Sequence, residues 1–275
     1  MQCEYYLGIE TIDHPVIASR DLEATREQFE KLGFTVPPRG SHIEWGTGNL
    51  CIMFPDDYIE VRGIIDASRF TMHLDTHLEE HGEGLMGVAF GTADVKASYA
   101  EAVANGINTG ELRQLRRNFE HPEGWTQPSF ELYAPDATDI EGLMHVVVIQ
   151  HLTPELIRRP DFLEHANGCL GVSEMTGAIE DVPGCANKMR RLFGNEAVAE
   201  SDNSVVITVP SGQSIRLDEA DSSGLLSMTM RVKDLATVDT LFRANGIEFE
   251  RDDQENIVIS PEDACGTVLK FSETA

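Results

Sequence analysis

The chain has 275 residues, 41% hydrophobic and 25% charged, a globular composition long enough for one large domain or two modest ones and unlike a disordered segment. Lysine and arginine number 21 against 47 aspartates and glutamates, a formal net charge of -26 that makes nucleic acid and anionic membrane poor partners. No apolar run nears the ~18 residues of a membrane span, the acidic N-terminus lacks signal-peptide features, and five scattered cysteines with no CxxC pair argue against a disulfide framework, so a reducing cytoplasm is expected.

In chain order, four segments share one rhythm: an apolar strand, an Asp-Leu or Asp-Val pair, an amphipathic helix, a glycine and another strand. They run Ile12–Val36, Leu85–Thr109, Val172–Ala197 and Leu225–Phe249. The spacing from Asp21 to Gly33 recurs in Asp94–Gly106 and Asp234–Gly246, and is one residue longer in Asp181–Gly194. Aspartate suits a helix N-cap, because its carboxylate accepts from unpaired N–H groups. Glycine suits the left-handed residue that ends a helix. Leu22, Phe29 and Leu32 in the first copy, and Leu235, Leu241 and Phe242 in the fourth, supply apolar helix faces.

Short apolar runs follow each helix: 50–54 and 58–62, 130–133 and 144–149, 205–209 and 214–217, 257–260 and 267–271. Each unit therefore reads β-α-β-β-β, and the predicted class is α+β, with four βαβββ modules pairing into two half-open barrels. Residues 152–168, with Pro154, Pro160 and Gly168, break the rhythm and read as a linker between a paired-module domain at 1–151 and a second at 169–275.

All nine histidines lie between His14 and His165, so any imidazole chemistry belongs to the first domain. His42 precedes the WGTGN loop at 45–49, Thr47 and Asn49 lie within it beside its glycines, and all three are candidate substrate contacts. His73, His77 and His81 share one helical face, but HLDTH lacks the glutamate of a zinc-protease motif and reads as a connector helix. Arg113, Arg116 and Arg117 form a local basic group, with Arg116 chosen as the candidate carboxylate contact. His165 is placed near the site mouth, and Cys51 reads as a buried apolar residue. No GxSxG, P-loop or strand-linked GxGxxG run occurs.

The modules, together with IDHPVIAS, WGTGN, YIEV and VVVIQHLTPELIRRPDFLEHANG, resemble the vicinal oxygen chelate superfamily and, within it, the glyoxalase-like domain family. The resemblance implies a barrel around a divalent metal, with ligand slots on the first and fourth strands of each module. His14 and Glu60 fill the slots of module one. Gly87 leaves one slot of module two empty, and His151 or Gln150 would fill the other. His14, Glu60 and His151 would then hold Fe, Mn, Ni, Co or Zn. The second pair offers Glu174, Ser227, Arg216 and Lys270 and reads as degenerate, shaping the site or serving a homodimer.

Strand alternation places Tyr58, Glu60 and Arg62 on one face and Ile59 and Val61 on the other. Glu60 is therefore expected to face the cavity, beside His14 and Arg62. The implied function is a metal-dependent lyase, isomerase or ring-cleaving dioxygenase in which Glu60 and His151 act on a small oxygen-rich metabolite. The alternative is a non-catalytic small-molecule binder of the same fold.

Overall fold

In the computed structural model, which describes residues 6–121, 123–140 and 142–273, each of the four aspartates caps a helix. Asp21 accepts from the amides of Glu23 and Ala24, Asp94 from Lys96 and Ala97, Asp181 from Gly184, and Asp234 from Thr237. The four glycines that close these units all have positive φ, which a side chain would strain.

Module one comprises β1 (Ile9–Ala18), α1 (Leu22–Lys31), β2 (Gly40–His42), β3 (Thr47–Met53) and β4 (Tyr58–Ile64). A connector helix, α2 (Leu74–Glu80), leads to module two: β5 (Gly84–Thr92), α3 (Val95–Ala104), β6 (Arg113–His121), the ribbon strand β7 (Gly124–Thr126), β8 (Ser129–Tyr133) and β9 (His145–His151). Module three comprises β10 (Cys169–Ile179), α4 (Val182–Phe193), β11 (Val198–Glu200), β12 (Ser204–Thr208) and β13 (Ser214–Glu219). Module four comprises β14 (Gly224–Val232), α5 (Leu235–Ala244), β15 (Glu250–Arg251), β16 (Ile257–Ile259) and β17 (Val268–Glu273).

In every module the first and last strands pair in parallel, and the first strands of two modules meet antiparallel, β1 on β5 and β10 on β14. The second half has the half-open form, ordered β11-β12-β13-β10-β14-β17-β16-β15. The first half goes further. Its order is β2-β3-β4-β1-β5-β9-β8-β6, and β2 also pairs with β6 through Ser41–Asn118 and His42–Arg117, which closes the ring. A three-residue strand is too short to announce itself by alternation.

One hydrophobic core runs through both halves, from Leu7 to Phe271. Phe90 meets Phe193 with centroids 4.8 Å apart, and Phe34 meets Phe271 at 6.1 Å, so module two packs on module three and module one on module four. Each buried phenylalanine contributes about 1.5–3 kcal/mol. Two polar side chains peg the seam. Asp57 accepts from the Val172 amide (3.1 Å) and from Gln213 Nε2 (3.1 Å), while Gln213 Oε1 accepts from the Ile12 amide (2.9 Å). Burial pushes the Asp57 carboxyl up to about 7.

Residues 152–168 are packed against the first barrel. Ile157 and Phe162 are buried with Cys51, Met53, Phe119 and Phe130. On α2, Leu74 and Leu78 pack against Val16, Ala18 and Met86. His77 is buried there, its imidazole pushed down to about 4 chiefly by burial. No helix among the described residues is long and apolar enough to cross a membrane. Cys51, Cys169, Cys185 and Cys265 are buried and form no disulfide among the described residues, and Cys3 lies outside the described residues.

Candidate functional site

A cavity with about 480 Å3 of empty space, mouth included, opens inside the closed barrel. Its polar wall is His14, His42, Asn49, Tyr58, Glu60, Arg62 and Arg117, set among Leu115, Phe130, Leu132, Val147 and Ile149, with Trp45 and Met72 completing it. Strand alternation explains the set: Tyr58, Glu60 and Arg62 line the cavity, while Ile59 and Val61 are fully buried in the core between sheet and helices.

Glu60 sits at the centre, 3% exposed. Asn49 Nδ2 donates to its Oε1 (2.7 Å) and Arg62 Nη2 to its Oε2 (2.6 Å). His14 Nε2 stands 3.5 Å from Oε2, and His42 Nε2 stands 3.8 Å from Oε1. Burial alone would raise this carboxyl, but the charge of Arg62 and the contact with His14 outweigh it and hold Glu60 well below the usual carboxylate range.

His14 is held from behind. Its Nδ1 donates to Asp13 Oδ1 (2.6 Å), and Tyr58 stacks on the ring at 4.2 Å. Asp13 also accepts from His151 Nε2 (3.0 Å). Burial opposes charge on His14, yet its bonds to Asp13 and Glu60 win and raise its pKa above the ordinary value. The β1–β5 register slips between Ile12 and His14, and this bulge lets Asp13 and His14 meet although they are adjacent in sequence.

His42 is also buried, its Nδ1 bonded to Thr47 Oγ1 (2.8 Å), and burial pushes its pKa down to about 4. It is neutral at pH 7, with Nε2 toward Glu60. Burial likewise raises the Cys51 thiol to about 11, so it is no nucleophile. Arg117, 3% exposed, donates to Asn49 Oδ1 (3.1 Å) and Cys51 Sγ (2.7 Å), and its guanidinium lies 5.3 Å from the Phe119 ring centroid.

The remaining expected contacts lie elsewhere. Arg116 is exposed, because alternation along β6 turns Leu115, Arg117 and Phe119 inward and Arg116 outward. Gln150 donates to the Ala93 carbonyl and accepts from the Val95 amide at the start of α3, on the far side of β9 from the cavity. His165 does not reach the cavity: its Nδ1 accepts from the Thr35 amide (3.0 Å) and its Nε2 donates to the Met53 carbonyl (3.0 Å). Thr47 supports His42 from beneath.

A family model described as a glyoxalase-like domain matches residues 12–193. The chain belongs to the glyoxalase-like domain family. Among solved structures, this glyoxalase-like chain is similar to a hypothetical protein from Staphylococcus aureus, with a TM-score of 0.73 at 13% identity over 95% of this chain and 98% of that one. It is also similar to a variant of 4-hydroxymandelate synthase from Streptomyces coelicolor, with a TM-score of 0.61 at 11% identity over 96% and 92%. A fusion of a xylose isomerase-like TIM barrel with 4-hydroxyphenylpyruvate dioxygenase gives 0.61 at 13% identity, over 96% of this chain and 49% of that one. The shared architecture is the vicinal oxygen chelate fold. No curated protein matches the chain.

The glyoxalase-like fold directs attention to a divalent metal, and the donors can be tested against one. Module one offers His14 and Glu60. The register that sets Glu60 beside Val16 sets Val147 beside Ala89, so Val147, rather than His151 or Gln150, occupies the matching place in module two. Gly87 occupies the other, and a Cβ there would lie 2.2 Å from the His145 carbonyl oxygen. His151 has turned to Asp13, and both Glu60 oxygens are engaged. Among the described residues no three His, Cys, Asp or Glu side chains converge on a metal position. This donor set does not fit a resident divalent ion. Arg62 gives Glu60 the positive charge that a metal would give it.

Proposed function

We propose that the closed barrel of this glyoxalase-like protein is the active site of a lyase or isomerase type enzyme that moves a proton on a small oxygen-rich metabolite, with His14 carrying that proton at Nε2. The observation that supports this is the Asp13–His14–Glu60 arrangement in a cavity wall. Asp13 fixes the ring and its tautomer, and Glu60 favours the imidazolium formed when Nε2 takes a proton. Of the two groups His14 is the more basic, its pKa raised by Asp13 and Glu60, whereas Glu60, held well below the usual carboxylate range, is too weakly basic. His151 positions Asp13, and His42 presents a neutral imidazole to a ligand oxygen.

The test is solvent exchange. Hydroxyacetone, dihydroxyacetone and pyruvate are incubated with the protein in D2O, and loss of the proton next to the carbonyl is followed by NMR. The expected result is catalysed exchange of at least one compound, reduced at least about 100-fold by His14→Gln. Equal exchange in wild type and His14→Gln contradicts the assignment.

A metal-dependent reading is favoured by one observation, the approach of His14 and His42 to opposite oxygens of Glu60. It requires Arg62 to leave Glu60. Calorimetric titration with Zn, Mn, Ni, Co and Fe(II) decides it: tight binding lost in both His14→Ala and His42→Ala supports it. Absence of exchange for every compound, with ligand binding intact in His14→Gln, supports the non-catalytic binder.

A further inference from the structure

Arg117 is a guanidinium in an unusual position. It is 3% exposed, no carboxylate lies within 4.0 Å of it among the described residues, and its Nε has no hydrogen-bond partner there. Its neighbours are an amide oxygen, a thiol and the rings of Phe119 and Phe130. Arginine stays charged at any working pH, so the barrel buries a cation with no carboxylate in contact, and Glu60 acts on it only from across Asn49. Arg62 lines the same cavity and also has a buried Nε without a partner, although its Nη2 serves Glu60. A polar chain of Arg62, Glu60, Asn49 and Arg117 links the two guanidinium groups. Imidazoles aside, the lining carries two cations and one anion, a local excess of one positive charge in a protein of net charge -26.

We propose that the ligand of this cavity carries a carboxylate, for which Arg117 and Arg62 form the seat. The inference rests on the barrel being the functional site and adds the class of molecule that occupies it. A monoanion cancels the surplus charge, whereas a phosphate dianion would exceed it beside Glu60. A planar carboxylate matches the fork of N–H donors that a guanidinium presents. The acidic exterior repels anions, so attraction must come from the cavity itself.

Trp45 lines the cavity and gives a reporter once the exposed Trp125 is replaced by phenylalanine. Glycolate, its neutral isostere glycolamide, and inorganic phosphate are titrated into this Trp125→Phe protein at constant ionic strength, with Trp45 fluorescence as the readout. Glycolate is expected to bind at least about tenfold more tightly than glycolamide, the size of one charge-assisted hydrogen bond. Arg117→Gln and Arg62→Gln are each expected to weaken glycolate by about tenfold or more and to leave glycolamide unchanged. The comparison of glycolate with glycolamide needs no substitution at the seat, so it stands even if Arg117→Gln does not fold.

Equal binding of glycolate and glycolamide, tighter binding of phosphate, or undiminished glycolate binding in both folded variants overturns the carboxylate assignment. In those cases binding in the barrel itself stands. No response to any of the three ligands overturns both the seat and the barrel as a small-molecule site.

Discussion

In the first half His14 lies opposite Ala89 and Glu60 opposite Val16; in the second, Glu174 lies opposite Thr229 and Arg216 opposite Thr176, at the equivalent places of a second sheet. Even the slips match: β1 breaks register between Ile12 and His14, and β10 between Val172 and Glu174. Asp57 and Gln213, each at the turn before the last strand of its module, reach across the seam to the Val172 and Ile12 amides. The frame is thus repeated, while the chemistry is not. Glu60 is buried among Arg62, Asn49 and two imidazoles, whereas Arg216 is exposed and pairs with Asp218 beside it. Closure by β2–β6 completes the difference, because it brings His42 and Arg117 side by side in a sheltered cavity.

The largest contrast is expected from matched substitutions of Glu60 and Arg216. Glu60→Ala leaves Arg62 and His14 buried without their carboxylate and should cost about 3–5 kcal/mol in a urea melt. Arg216→Ala should change stability by no more than about 0.5 kcal/mol. Similar losses from both would break the comparison.

Acid should act through the first half. The folded pKa of His42, about 4, lies below its unfolded value of 6.5, so its contribution is present above pH 6.5 and is lost as pH falls toward 4. That loss is roughly 3 kcal/mol. Asp57 acts in the opposite sense, because its raised carboxyl makes folding take up a proton between 3.8 and about 7. The measurement is therefore the difference between wild type and His42→Gln: wild type should lose stability relative to the variant from pH 6.5 to 4.

At the seam, Gln213→Ala removes bonds to Ile12, Val172 and Asp57 and should cost about 2–3 kcal/mol by thermal or chemical melting. The smallest effects should be equal in the two halves. Asp21→Ala and Asp234→Ala each remove one helix cap, at about 1 kcal/mol apiece. Unequal cap losses would show that the repeated frame is not equally loaded.

The frame was legible because caps and closing glycines leave local marks: the Asp–Gly spacing names four helices that all form. The inward face of Glu60 was legible from alternation around Ile59 and Val61. Arg117 is open to the same reasoning, since it shares a face with apolar Leu115 and Phe119, whereas the run of arginines by itself does not separate it from Arg116. Asp13 was hidden by the bulge, because strict alternation places it opposite His14. The place of Val147 depends on parallel register between strands far apart in sequence, and His151 looked like a ligand only without that register. His165 serves two backbone groups, which no residue pattern near it reveals.

The most direct test of the account is the titration of His14 itself, followed by NMR of isotope-labelled imidazole in wild type and in Glu60→Gln. Held between Asp13 and Glu60, His14 should titrate above 6.5 in wild type and fall by about one unit or more in the variant. A value at or below 6.5 in wild type, or one that Glu60→Gln does not move, would contradict the assignment of His14 as the proton carrier of this barrel.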